Sequence, residues 1–401
     1  MIAVENKILQ LVSKHKSGEA IGLTSVCSAN LYVIKAAILN AKKYNQILLI
    51  ESTSNQVDQF GGYTGITPHQ FRTLVFNLAN DLAFPIENLI LGGDHLGPNR
   101  WQNENSNSAM QKAKDQMAAY ISAGYTKIHL DASMKCADDG SEKVSLDPSV
   151  VAERSAILCK VAEETFSNSA DNIEAPVYII GTDVPPPGGA KEDHNQISIT
   201  AAKEVEQTIE LTKKAFEKYN LQDAWNRVVA VVVQPGVEFG DEVVFDYDRN
   251  KSRELVKVIE NYPNIVYEAH STDYQKKELL KQMVEDHFGF LKVGPWLTFA
   301  FREAVFALAL IEKELLSSKR GIILSNLLEV VDERMINFPK YWEKYYDFSE
   351  QENKLKRKYS YSDRIRYYWA DKIVNESLQR LINNLTDNKI PPILLSQYLS
   401  E

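Results

Sequence analysis

Eight short apolar runs, each followed by a longer amphipathic stretch, constrain the fold of this 401-residue chain more than any other feature. The runs are Ala20–Thr24, Ile47–Ile50, Leu89–Leu91, Lys127–Leu130, Val177–Ile180, Val228–Val233, Ile265–Tyr267 and Phe290–Val293. Runs of this length read as strands buried on both faces, as in a parallel sheet covered by helices. The stretches between them carry helix signals. Thr67-Pro68-His69-Gln70 has the form of a capping box with proline in the first turn, and Asp147-Pro148 repeats the cap and the proline. Residues 4 to 16 place Ile8, Leu11 and Val12 at helical spacing and predict a lead-in helix. Phe301, Ala304, Val305, Leu308, Ile311 and Leu315 fall on one face of the last helix of the set.

Eight strand–helix repeats predict an α/β protein, a (β/α)8 TIM barrel over residues 1–317. An open doubly wound sheet is the alternative, because strand count alone does not prove closure. After Ser317 the rhythm stops, and residues 318–401 predict an α-helical extension. Its aromatic pairs, such as Tyr341-Trp342 and Tyr368-Trp369, suit packing in a core or against a partner better than stacking on bases.

Several functions are disfavoured at once. The net charge is −9, and no long basic run is present, so neither nucleic acid nor an anionic membrane is expected as the main partner. No apolar run is long enough to span a bilayer, and the first residues lack the pattern of a signal peptide. Cys27, Cys136 and Cys159 are not in metal-type spacing and read as free thiols of a cytoplasmic protein. No Gly-x-Gly-x-x-Gly follows the first strand, and no Gly-x-x-x-x-Gly-Lys-Ser/Thr is present, which speaks against dinucleotide binding and against a P-loop kinase.

The chemistry collects where the apolar runs end. Barrel enzymes carry their sites at the carboxyl ends of the strands. There the sequence reads Glu51-Ser52-Thr53-Ser54, Gly92-Gly93-Asp94-His95, Asp131-Ala132-Ser133, Gly181-Thr182-Asp183, Gln234-Pro235-Gly236-Val237-Glu238, Glu268-Ala269-His270-Ser271-Thr272-Asp273 and Lys292-Val293-Gly294-Pro295. Burying an unpaired acid inside a strand is costly, so Asp94 beside His95 points to a carboxylate that moves a proton and an imidazole that binds a metal. The plainer reading makes Asp94, Asp131 and Asp273 helix caps. His194 lies in a polar loop and is expected to face solvent. His129 has the opposite strand parity to Leu130 and is expected to point into the helix layer. His270 closes an apolar strand and shares parity with Glu268, so both should face the barrel interior. His95 and His270 with acids nearby suit a divalent metal of the zinc type. Ser271, Thr272 and Gly294 stand where barrels often hold a phosphate, after strands 7 and 8.

These residues also carry a resemblance. Ser25-Val26-Cys27-Ser28, Gln59-Phe60-Gly61-Gly62-Tyr63-Thr64-Gly65, Gly92-Gly93-Asp94-His95-Leu96-Gly97-Pro98, His129-Leu130-Asp131-Ala132-Ser133, Tyr267-Glu268-Ala269-His270-Ser271-Thr272-Asp273 and Asp363-Arg364-Ile365-Arg366-Tyr367-Tyr368-Trp369 are spread over nearly the whole chain. Together they resemble the Z-type subunits of tagatose-1,6-bisphosphate aldolase, from galactitol and N-acetylgalactosamine catabolism. The resemblance implies kinship with the zinc-dependent class II aldolases. It makes Asp94 the acid/base, His95 and His270 metal ligands, and Asp131 the acid after strand 4 that lies at the substrate. The family's remaining ligand histidine, after strand 5, has no counterpart in Gly181-Thr182-Asp183-Val184. Asp183 is then a substitute ligand, with Glu268 and Asp131 as further candidates. Family members run further past a stretch like Ser396-Gln397-Tyr398-Leu399, so a terminal helix of the family is not expected here.

Two functions follow from the resemblance. One is a non-catalytic subunit that supports the activity and stability of a catalytic Y-type aldolase subunit, in an oligomer acting on a ketohexose bisphosphate. The other is a metal-dependent enzyme in its own right, a ketohexose-phosphate aldolase or C4 epimerase.

Overall fold

The computed structural model describes residues 6–140, 145–169, 174–181 and 197–399. Its strands are β1 (Leu23–Cys27), β2 (Leu48–Thr53), β3 (Leu89–Leu96), β4 (Lys127–Leu130), β5 (Val177–Ile180), β6 (Val228–Val233), β7 (Glu238–Phe239), β8 (Val244–Phe245), β9 (Val266–Ala269) and β10 (Phe288–Val293). Eight of them close a barrel in the order β1-β10-β9-β6-β5-β4-β3-β2, while β7 and β8 form a separate two-stranded sheet. The neighbours around the barrel are parallel throughout, and pairing of β1 with β10, Leu23 opposite Phe290, closes it. The closed barrel replaces the open-sheet alternative. Among the described residues no helix is long and apolar enough to cross a membrane.

The helix signals are realised. Thr67 caps the helix Pro68–Asp81 with both bonds of the capping box, and the Asp147 side chain caps Pro148–Ser167. The lead-in helix Lys7–Lys16 is capped by Asn6 and buries Ile8, Leu11 and Val12 among Leu23, Leu49, Ile90, Val177, Val229 and Val266. Most of these residues begin their strands, so the helix packs on the amino ends of the barrel strands. Burial of each such side chain stabilises by about 1.5–3 kcal/mol.

Several strand limits differ from the sequence expectation: β2 runs on to Thr53, β9 runs on to Ala269 and β10 begins at Phe288, and the first and third runs differ as well. The first run starts its strand only at Leu23, where pairing with Phe290 begins. The third does not stop at Leu91 but continues to Leu96. Its first glycine makes room for the neighbouring strand: a Cβ on Gly92 would lie 2.7 Å from Glu51 Cγ. Beyond the glycines the ladder slips. Gly93 faces Ile128, yet Leu96 faces Leu130, so β3 takes three steps while β4 takes two. This is a β-bulge, and His95 lies within it with φ of 50°.

The chain divides into two compact units, Met1–Ala29 with Ile34–Phe239 and Val244–Gly294, and Asn30–Val33 with Gly240–Val243 and Pro295–Glu401. The helix Pro295–Leu316, eighth in the sequence rhythm, thus groups with the residues that follow it. The second unit has its own core. Val305, Phe306 and Ala309 of that helix pack with Leu327, Val331 and Met335, with Val374, Leu378 and Leu381, and with Tyr368 and Trp369. The aromatic pair therefore builds a core rather than an exposed platform.

Candidate functional site

The first unit gathers its ionisable residues inside the barrel. Odd positions of β4 point inward, because Lys127 and His129 are both fully buried and both reach acids of other strands. His129 does not enter the helix layer as its parity against Leu130 suggested. Its Nδ1 lies 2.9 Å from Asp94 Oδ1. The bulge in β3 brings the two neighbours Asp94 and His95 to the same interior. The imidazoles of His95, His129 and His270 then form a triangle with ring centroids 4.9 to 5.2 Å apart.

Three carboxylates and two ammoniums interlock beside these rings. Lys127 Nζ lies 2.7 Å from Glu51 Oε1 and 2.6 Å from Glu268 Oε2. Lys292 Nζ lies 3.1 Å from Glu51 Oε2 and 3.1 Å from Glu268 Oε1, and it donates to Asp94 Oδ1 as well. His270 Nε2 is 3.2 Å from Glu268 Oε1. A separate pair stands at the edge of the cluster. His95 Nδ1 is 2.7 Å from Asp131 Oδ2, which also accepts from Asn99, while Asp131 Oδ1 accepts from the Ser133 N–H and hydroxyl. Asp131 is held by these partners rather than capping a helix.

Burial and charge set the protonation states in opposite directions. Burial alone would raise the Asp94 carboxyl, but His95, Lys292 and the His129 hydrogen bond outweigh it and hold it well below its usual range. Burial likewise opposes the Lys292 ammonium, yet Asp94, Glu268 and Glu51 keep it firmly protonated. His129 and His270 are pushed down, by burial first and by Lys292 second, His270 to about 3. His95 is raised: burial lowers it, but Asp94 and Asp131 more than compensate. The site thus contains two neutral imidazoles next to one that favours its charged form. The His129 Nδ1 is approached both by Asp94 Oδ1 at 2.9 Å and by the His95 backbone N–H at 3.3 Å. The shorter contact with an ionised carboxylate favours the tautomer that donates Nδ1–H to Asp94, in which Nε2 carries a lone pair. That atom is buried and has no hydrogen-bond partner among the described residues.

Of the residues expected from sequence, Asp94, His95, Asp131, Glu268 and His270 lie together, and Asp183 and His194 fall outside the described residues. The four donors whose atoms lie within 4.8 Å of one another are Asp94, His129, Glu268 and His270, with His95 outside the set and engaged by Asp131. Two imidazoles and two carboxylates suit a zinc-like divalent ion by donor type. Both carboxylates are also bonded to lysine ammoniums, Glu268 through both oxygens and Asp94 through Oδ1, so an ion held there would share them with Lys127 and Lys292. The residues expected to hold phosphate are also engaged. The Ser271 hydroxyl bonds Glu238, the Thr272 N–H and hydroxyl bond the Lys292 carbonyl at 3.1 and 2.7 Å, and the Gly294 N–H bonds Asp273 Oδ1 at 3.0 Å. An anion bonding Ser271 and Gly294 would displace a carboxylate from each. Glu51, Lys127 and Lys292 were missed in the sequence. The available signal was a lysine inside an apolar strand, which has to find an acid once the strand is buried on both faces.

The family model described as D-tagatose-1,6-bisphosphate aldolase subunit GatZ/KbaZ-like matches residues 8–401. A curated relative from Klebsiella pneumoniae subsp. pneumoniae, named D-tagatose-1,6-bisphosphate aldolase subunit GatZ, is 50% identical over 389 residues, 97% of this chain and 90% of its own. A crystal structure from Sinorhizobium meliloti 1021, described as a probable tagatose 6 phosphate kinase, superposes with a TM-score of 0.85. It is 42% identical and covers 94% of this chain and 91% of its own.

Proposed function

Because this chain belongs to the GatZ/KbaZ-like family of D-tagatose-1,6-bisphosphate aldolase subunits, we propose that it is the supporting, Z-type subunit of such an aldolase. In this reading it works in the cytoplasm, in galactitol or N-acetylgalactosamine breakdown. It sustains the activity and stability of a catalytic Y-type subunit that cleaves a ketohexose bisphosphate. The observation that carries this reading is the self-satisfied rim: Ser271, Thr272 and Gly294 bond to the protein's own oxygens. Asp94, the candidate acid/base, is bonded from two sides in the same way. The kinase word attached to the Sinorhizobium protein is not carried over, since this sequence has no phosphate-binding Gly-Lys-Ser/Thr loop.

A second reading is an enzyme in its own right, a ketohexose-phosphate aldolase or C4 epimerase using a divalent metal such as zinc. One observation favours it: the buried, unpartnered Nε2 of His129 beside three other metal-type donors. In that reading Asp94 carries the proton and His95 and Asp131 orient the substrate.

Asp94→Asn separates the two, measured alone and with the Y-type subunit at equal folded fraction. The supporting-subunit reading expects partner activity and heat resistance to persist. The enzyme reading expects an intrinsic cleavage or epimerisation rate that falls about 10²–10⁴-fold. Loss of partner support in a folded Asp94→Asn protein would defeat the first reading, and undiminished intrinsic turnover would defeat the second.

A further inference from the structure

We propose that Lys292 is the resident cation of the inner site, so that its ammonium and a divalent metal compete for the carboxylates of Asp94 and Glu268. The inference concerns the occupancy of the site and holds whether the barrel supports a partner or turns over substrate.

Lys292 Nζ is bonded to Asp94 Oδ1 and Glu268 Oε1, one oxygen from each carboxylate of the four-donor group, and to Glu51 Oε2. A metal held by the same two side chains and by His129 and His270 would share Glu268, both of whose oxygens already face an ammonium, and Asp94, whose Oδ1 does. Charge points the same way. Glu51, Asp94 and Glu268 against Lys127 and Lys292 leave one negative charge in a buried cluster. A dication added to this cluster turns it positive, whereas a dication that replaces Lys292 leaves it neutral. Buried clusters favour neutrality.

Two features make the exchange feasible without rebuilding the barrel. Lys127 holds Glu51 and Glu268 by their other oxygens, Oε1 and Oε2, so both remain anchored when Lys292 leaves. His129 keeps its Nε2 lone pair, which no described residue uses. The ammonium needs only to move aside or be removed. The class of ligand is a divalent ion that accepts mixed imidazole and carboxylate donors, with zinc as the representative.

The test titrates chelator-treated full-length protein with zinc chloride alone and reads bound zinc per chain by equilibrium dialysis. Lys292→Met is expected to bind one zinc more tightly than wild type by about tenfold or more, the scale on which neighbours of ligands tune metal affinity. Adding His129→Ala is expected to abolish the gain. The double variant Glu51→Gln/Lys292→Met retains all four donors and the wild-type net charge of the cluster, so it tests the freed oxygens apart from the charge. Where the single variant does not fold, the double variant is still expected to bind zinc more tightly than wild type. Equal or weaker zinc binding without Lys292, or a gain that survives His129→Ala, overturns the proposal.

Discussion

At the centre of the barrel, Glu51, Asp94 and Glu268 share Lys127 and Lys292, so none of the three has a cation to itself. In the second unit three arginines each face an acid and lie over an aromatic ring. Arg357 pairs with Asp332 at 2.8 Å and lies over Trp342, Arg334 pairs with Asp371 at 2.5 Å and lies over Phe338, and Arg302 faces Asp363 at 3.5 Å with Phe299 beneath it. The contrast separates two uses of buried charge. Local pairs over aromatic rings are a packing solution, since the flat guanidinium stacks on a ring while its edge reaches the acid. A shared cluster is poorer packing and better chemistry, because every charge in it tunes every other.

The largest test of this contrast removes one shared cation. Lys127→Met leaves Glu51 and Glu268 with Lys292 alone, inside a fully buried site. A loss of about 3–5 kcal/mol in urea unfolding is expected, the range for breaking a buried ion pair. A midpoint close to wild type would remove the distinction between shared and local charge.

Glu238 shows what a buried carboxyl does without an ammonium. Its partners are the Ser271 hydroxyl and the Phe239 N–H, and burial raises it from 4.5 to about 7. Below pH 4.5 the group is protonated in the folded and unfolded chain alike. Between 4.5 and 7 only the folded chain keeps the proton, so stability falls as pH rises through this window. Above 7 the folded state carries the full penalty, about 3 kcal/mol from about 1.36 kcal/mol per pH unit. Glu238→Gln should therefore stabilise by about that amount at pH 8 and by little at pH 4.5, read from unfolding curves at the two pH values. Equal effects at both would place the cause in shape rather than charge.

A smaller loss is expected for a local pair. Arg357→Met strips Asp332 and Glu350 of their cation, but Glu350 is largely exposed and can return to water. Unfolding should report a loss of about 1–3 kcal/mol, the range for one unsatisfied buried group. The smallest effect belongs to Lys218, exposed beside Glu153, where Lys218→Ala should leave the melting temperature unchanged within error.

Most of the barrel is legible in the sequence because parallel strands buried on both faces must be apolar along their length. What is not legible is closure, since β1 and β10 are joined by pairing across the chain ends. Asp94, His95, Glu268 and His270 are legible because polar residues at strand ends stand out against what precedes them. Lys127 and Lys292 are not, since a lysine within an apolar run reads as a blemish until its acids are seen on three other strands. His129 is misassigned for a related reason. Parity fixes which residues share a face, but the inward face of β4 is identified by Lys127, whose partners lie across the barrel.

The slip between Gly93 and Leu96 works on side chains as a frameshift works on codons. Upstream of it, alternate residues of β3 face the interior; downstream, the alternation restarts one place out of step. At the junction, neighbours Asp94 and His95 are both read as inward, a pairing that regular alternation forbids. The new frame is then locked by contact. A Cβ on Gly97 would come 1.6 Å from the Asp131 carbonyl oxygen, so any side chain there would push away the residue that holds His95. The residues between Gly93 and Leu96 are Asp94 and His95 themselves, so deleting either one would restore the regular frame and leave only the other group facing the interior. The same barrel could thus exchange an acid for an imidazole at this position by a change of length alone, with no change in its strand order.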